Sequence, residues 1–174
     1  MKVNFRYAIV CSLSLALSFS GPTLRAKENP QVKMKADAIQ VKMIKADRIT
    51  LPAEFQVSLY ENLITQLEKR NVFKRVYRDG DQTSDASPNL IVLQCAVQKF
   101  EKGSEKMRQV TTVAGATSIT LRCQFRDKDG NSFLERDIAA KVRFFGGNLN
   151  ATYDFAKKAA NVAAENFSTI AEHR

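Results

Sequence analysis

Residues 118–126 alternate without a fault: Ile119, Leu121, Cys123 and Phe125 fall on one side, Ser118, Thr120, Arg122, Gln124 and Arg126 on the other. A period of two marks a strand with one buried and one wet face. Asp129-Gly130 supplies a turn, after which Leu134, Ile138, Ala140, Val142 and Phe144 alternate with Glu135, Asp137, Lys141 and Arg143. The stretch predicts a β-hairpin with one apolar and one charged face. Such a hairpin is marginal alone, so its apolar face demands a covering layer.

Two segments can supply that layer. Between Pro52 and Arg70 the residues Phe55, Leu59, Leu63 and Leu67 recur every four positions, widened by Val57, Tyr60 and Ile64. Pro52 suits a first turn, Lys69 and Arg70 the negative end of the dipole, and Asn71 a left-handed stop. A second stripe, Phe155, Ala159, Val162, Ala163, Phe167 and Ile170, follows Gly146-Gly147. Asn148 or Asn150 can cap it, with Asp154 in the first turn. Residues 72–78 read as a short strand, and 90–100, opening Leu-Ile-Val-Leu, as a central one. Residues 79–89 and 102–115 read as loops.

One further strand lies near the start. Residues 31–39 and 40–49 are near-copies, both alternating Val and Met with Lys, the second carrying Ile44 as an insertion. The second copy is the expected strand, since it runs directly into the first helix. The prediction is an α+β fold, a mixed, mainly antiparallel sheet of about five strands with two helices packed on one face, in the order β-α-β-β-β-β-α.

Residues 1–26 read as an export signal, with Lys2 and Arg6 at its head, an apolar run over 7–19, and small residues at its exit. That run is about a dozen residues, short of the roughly 20 a spanning helix needs. The expected plan is a signal peptide at 1–26, a partly disordered N-terminal segment at 27–40, a single domain at 41–170 and a frayed tail at 171–174. No transmembrane helix is expected in the mature chain. Cys11 stands inside the apolar core, without a lipid-attachment pattern ahead of it, so a soluble periplasmic or secreted protein is predicted.

Loss of the signal removes Lys2, Arg6 and Arg25 and no acid, leaving 24 basic and 18 acidic residues, a net charge of +6. Export places nucleic acid out of reach, so the counterpart of that charge is an envelope protein, an anionic envelope polymer or a lipid headgroup. The only histidine is His173, beside the terminal Arg174, which removes the usual nucleophilic triads and imidazole metal sites. Asp127, Asp129, Glu135 and Asp137 fit a turn and a wet strand face, and no Gly-rich phosphate loop opens a helix. No enzyme, cofactor or metal is expected.

The candidate contact residues are therefore cationic: Lys106 and Arg108 in the 102–115 loop, and Arg122, Arg126 and Arg143 on the charged hairpin face. Cys95 and Cys123 fall on inward sets of two strands, as either a stapling disulfide or two buried thiols. The predicted function is a non-catalytic exported binding module. The alternative is a carrier holding a small apolar or anionic ligand between helices and sheet.

Leu51-Pro52 with Phe55, Leu59, Leu63 and Phe73, then Asn89-Leu-Ile-Val-Leu-Gln with Phe100 and Gly103, and Asp127, Gly130 and Gly146-Gly147 ahead of an Ala-rich helix, set out a pattern over residues 41–167. In this it resembles a bacterial family known as domain of unknown function 4410, whose members look like small exported or lipid-anchored envelope proteins. Their layout is similar to the N-terminal domain of TolB-type periplasmic proteins. The family's glycine-rich stretch is reduced here to Gly103 and Gly115. The resemblance implies an envelope location and carries no catalytic residue.

Overall fold

The computed structural model describes residues 32–110, 115–142 and 147–169. The strands are β1 (Met34–Lys35), β2 (Ala38–Val41), β3 (Arg75–Tyr77), β4 (Leu90–Glu101), β5 (Thr117–Arg126), β6 (Ser132–Val142) and β7 (Phe167–Ser168). The helices are α1 (Ala53–Arg70), α2 (Glu105–Val110) and α3 (Asn150–Asn166), with a 3-10 turn over Gln82–Ala86. Five strands form one sheet in the order β3-β2-β4-β5-β6, while β1 and β7 pair in parallel beside it. Strand β2 runs parallel to β3 and β4, and β4, β5 and β6 run antiparallel. The fold is the α+β class read from the sequence.

The alternation of the hairpin decides which face is covered. Ile119, Leu121, Cys123 and Phe125 of β5 join Leu93 and Cys95 of β4 and Ile39 and Val41 of β2 in one core, against Leu59, Leu63 and Leu67 of α1. Ala156, Ala159, Ala160 and Ala163 of α3 are fully buried there, small enough for α3 to lie close against α1 and the sheet. Phe55, Phe125 and Phe155 are likewise fully buried, so the helix–sheet layer is filled with side chains.

Asn71 terminates α1 in the left-handed region at φ 55°, its N–H donating to the Glu68 carbonyl, the stop expected for asparagine. Pro52 stands one residue earlier than expected, at the N-cap. No asparagine side chain caps α3: its N-cap is Leu149, and the Asn148 side chain instead accepts a hydrogen bond from Thr117 (2.6 Å). Phe167, expected within the α3 stripe, lies outside the helix, and Ile170 lies outside the described residues. The helix ends at Asn166 and Phe167 enters β7, where its ring meets Phe73 and Phe125 with centroids 5.9 and 5.4 Å away.

The repeat resolves differently from the expectation. Strand β2 straddles the junction of the two copies, and Ala36, Ala38 and Ile39 of the first copy are buried together with Gln40 and Val41 of the second. Buried residues therefore occur ahead of residue 41 as well as after it. Both copies alternate equally well, so alternation alone does not choose between them; the parallel neighbours β3 and β4 do. The expected signal at 1–26 and tail at 171–174 lie outside the described residues.

The inserted Ile44 has a structural counterpart. Lys42 N donates to Leu93 O (2.9 Å), Lys45 N to Cys95 O (3.0 Å), and Val97 N to Lys45 O (2.8 Å). Three steps of one chain thus oppose two of β4, a one-residue bulge in a parallel pairing. The bulge returns Ile44 to the core at 2% exposure and turns Met43 out to 45%. Without it, the alternation would carry Met43 inward and Ile44 outward.

Candidate functional site

The helix-free face of the sheet carries the even-numbered side of β4. Across it, Gln40, Val92 and Arg126 form one row through β2, β4 and β5, and Lys42 and Gln94 lie one step further along their strands. A cleft of about 980 Å³ opens over this face. Its floor is Leu90 and Val92 from β4; one wall is the bulge and the segment behind it, including Ile49 and Leu51. The opposite wall is the β5–β6 turn, with Arg126, Asp127 and Lys128.

Each polar group of the cleft has a local history. Asp79 accepts from Met43 N (3.0 Å) and pairs with Lys42 (3.1 Å), and these bonds, the backbone one first, hold its carboxyl below the ordinary value. Asp127 is held low by Asn131, whose side chain and backbone N–H both donate to it at 2.8 Å, so this carboxylate closes the turn. Gln40, 5% exposed, donates to Ser84 (2.9 Å), which ties the 3-10 turn over the β3 end of the face. Lys45 and Asp47 line the cleft and make no ion pair among the described residues. Arg126 donates through its terminal nitrogen to Gln124, while its Nε is buried without an acceptor.

The sequence-predicted contact residues separate in space. Arg122 and Arg126 share the helix-free face. Arg122 donates to both Asp137 oxygens (2.9 and 3.1 Å) and pairs with Glu135 (3.3 Å). That fork raises the Arg122 pKa and lowers that of Asp137, each chiefly through their mutual hydrogen bond. Lys106 is exposed on α2, in a segment expected to be a loop, and the backbone of Arg108 lies in the same helix. Arg143 lies outside the described residues. The cleft residues Lys42, Lys45, Gln94, Ile49 and Leu51 were not legible as a site; the one signal pointing to them is the inserted Ile44, which marks a break in a regular repeat.

Cys95 and Cys123, the other pair singled out, are joined in a disulfide with Cα atoms 4.2 Å apart. A disulfide of this kind persists in an oxidising compartment. No helix among the described residues is long and apolar enough to cross a membrane.

The fold and this face define a small α+β domain with a helix-backed sheet whose opposite side is open. Solved structures share that architecture. PelC from Paraburkholderia phytofirmans, described as a dodecamer, is similar at a TM-score of 0.55 and 14% identity, over 80% of this chain and 95% of that one. Protein XCC0632 from Xanthomonas campestris, of the DUF330 family, is similar at a TM-score of 0.51 and 15% identity, over 83% and 90% of the two chains. At such identities the likeness is one of fold. No family model matches the chain, that of domain of unknown function 4410 included, and no curated protein matches it.

Proposed function

We propose that this protein is a non-catalytic exported binding module whose working surface is the helix-free sheet face, centred on the cleft beside the Ile44 bulge. The observation that carries the reading is the cleft itself: about 980 Å³, floored by Leu90 and Val92 and rimmed by Lys42, Lys45, Arg126 and Lys128. Clefts near the top of the small-ligand range, with a few convergent polar groups, are the usual places where a protein meets a partner molecule. The buried Cys95–Cys123 disulfide supports passage through an oxidising compartment. The cationic surface is thereby reassigned. Arg122 is already engaged by two carboxylates, so the reading moves to the cleft, where Lys45 makes no ion pair among the described residues and Arg126 lines the same surface. The carrier alternative moves with it, from the filled helix–sheet layer to the opposite face.

The test is in-cell photocrosslinking in the native host, with the reactive residue placed at Gln94 in the cleft or at Lys157 on the exposed side of α3. Capture of a specific envelope component from Gln94 but not from Lys157 is the expected result. Equal capture from both positions, or none from Gln94, overturns the reading.

A second reading, self-assembly, is favoured by the PelC dodecamer. Strand β6 ends the sheet, although the Ala139 carbonyl and Lys141 N–H are already bonded to Lys158 (2.8 Å) and Asp154 (3.2 Å) of α3. Light scattering of the purified protein decides it: a monomer mass across concentrations removes this reading, and a closed oligomer supports it.

A further inference from the structure

We infer that the cleft binds an amphipathic anion, an apolar chain ending in a carboxylate or phosphate, with Arg126 as the headgroup contact. The inference rests on the helix-free face being the working surface and names what that face takes.

Three observations lead to this chemistry. The first is charge. Four cations and three carboxylates line the cleft, a net of one positive charge. Two of those carboxylates are held by local bonds, Asp79 by Lys42 and the Met43 N–H, Asp127 by Asn131. The excess suits one negative head. The second is an unmet donor. Arg126 Nε is buried with no acceptor, while one terminal nitrogen of its guanidinium donates to Gln124. A buried N–H without an acceptor costs free energy, so this guanidinium is not fully satisfied by its own fold; it lines the cleft, and its fork matches carboxylate or phosphate geometry. The third is the floor. Leu90 and Val92 lie in the cleft beside Arg126, facing Ile49 and Leu51 across it, and no aromatic ring lines it among the described residues. Sugars and bases commonly rest on aromatic faces, whereas an aliphatic chain needs only apolar area.

The Ile44 bulge positions this arrangement. It swings Met43 outward and leaves Lys42 and Lys45 both on the wall of the cleft.

The probes are dodecanoate, dodecyl phosphate and dodecanol, each below its micelle threshold, titrated calorimetrically into the disulfide-bonded protein recovered after export. One or both anions should bind saturably and about tenfold or more tighter than dodecanol, the factor expected for a charge-assisted hydrogen bond. Arg126→Gln and Val92→Glu should each weaken them by about tenfold, while Arg122→Gln, outside the cleft, binds as wild type. Unchanged near-ultraviolet circular dichroism shows that each variant is folded. The carboxylate and phosphate arms separate a fatty acid from a phospholipid-type head. Absence of saturable binding, equal affinity for dodecanol, or indifference to both Arg126→Gln and Val92→Glu overturns the inference. Failure here with crosslinking from Gln94 intact sinks the acyl-anion assignment alone; loss of both sinks the working-surface reading as well.

Discussion

Cys95 and Cys123 stand opposite each other on β4 and β5, paired in register with Cα atoms 4.2 Å apart, and their disulfide is buried beneath the helices at 1% and 0% exposure. The bond joins the central strand of the sheet to the first strand of the hairpin. Its cysteines are 28 residues apart in sequence, and closing a loop of that size in the unfolded chain is worth about 3 kcal/mol. The double variant Cys95→Ala/Cys123→Ala is therefore expected to unfold at lower urea, with stability reduced by about 3 kcal/mol. Equilibrium unfolding followed by circular dichroism measures it. Because the bond is buried, a mild reductant should leave it intact in the native protein and cleave it in urea.

The bulge makes a second prediction. Ile44 is anchored in the core while its neighbour Met43 is turned out. Ile44→Ala should cost about 2–4 kcal/mol, as for a large core aliphatic, and Met43→Ala less than about 0.5 kcal/mol. Urea midpoints of the two variants provide the comparison. Similar losses at both positions would mean that the strand runs without the bulge.

Gly103 faces the backbone of 115 and 116. A Cβ at this position would stand 2.1 Å from the Gly115 carbonyl oxygen and 2.4 Å from the Ala116 carbonyl carbon. Neither atom belongs to a flexible side chain, so Gly103→Ala must displace the junction between α2 and β5. Overpacking of this kind costs about 1–3 kcal/mol. Thermal unfolding should show the loss, with Gly80→Ser, where the added atom meets open space, as a contrasting surface substitution whose only penalty is its positive φ.

A fourth expectation concerns pH. The Arg122 hydrogen bonds hold the Asp137 carboxyl below its ordinary value of 3.8. A depressed carboxylate pKa stabilises the fold above the unfolded value, and that contribution disappears as pH falls through the folded one. Arg122→Gln should return the Asp137 titration towards the ordinary range, read by carboxyl NMR; its stability loss, small for an exposed pair, should be present at neutral pH and vanish as pH falls through the folded Asp137 value, where the wild type loses the same contribution. An unaltered titration would show that Arg122 does not control Asp137.

The hairpin, α1 and the α3 stripe were readable because their evidence is local: a period of two for strands sharing one buried face, a period near four for the helix, and Asn71 where a left-handed stop is required. The N-terminal strand was not readable. Residues 31–39 and 40–49 carry the same pattern, and what selects Ala38–Val41 is its position between two parallel neighbours, β3 and β4. The candidate site suffered the same loss. Arg122 and Arg126 occupy equivalent positions in the alternating pattern, yet Arg122 meets Asp137 across the strands and Arg126 lines the cleft.

By itself the sequence determined which faces of its strands and helix would be buried and where the hairpin would turn, because periodicity and turn chemistry act within a few residues. Only the tertiary structure decided that Cys95 meets Cys123, that Ile44 bulges back into the core, and that Arg126 lies in an open cleft with a buried Nε lacking an acceptor. Those outcomes depend on register between segments distant in the chain, and register is set by the sum of packing across the whole sheet.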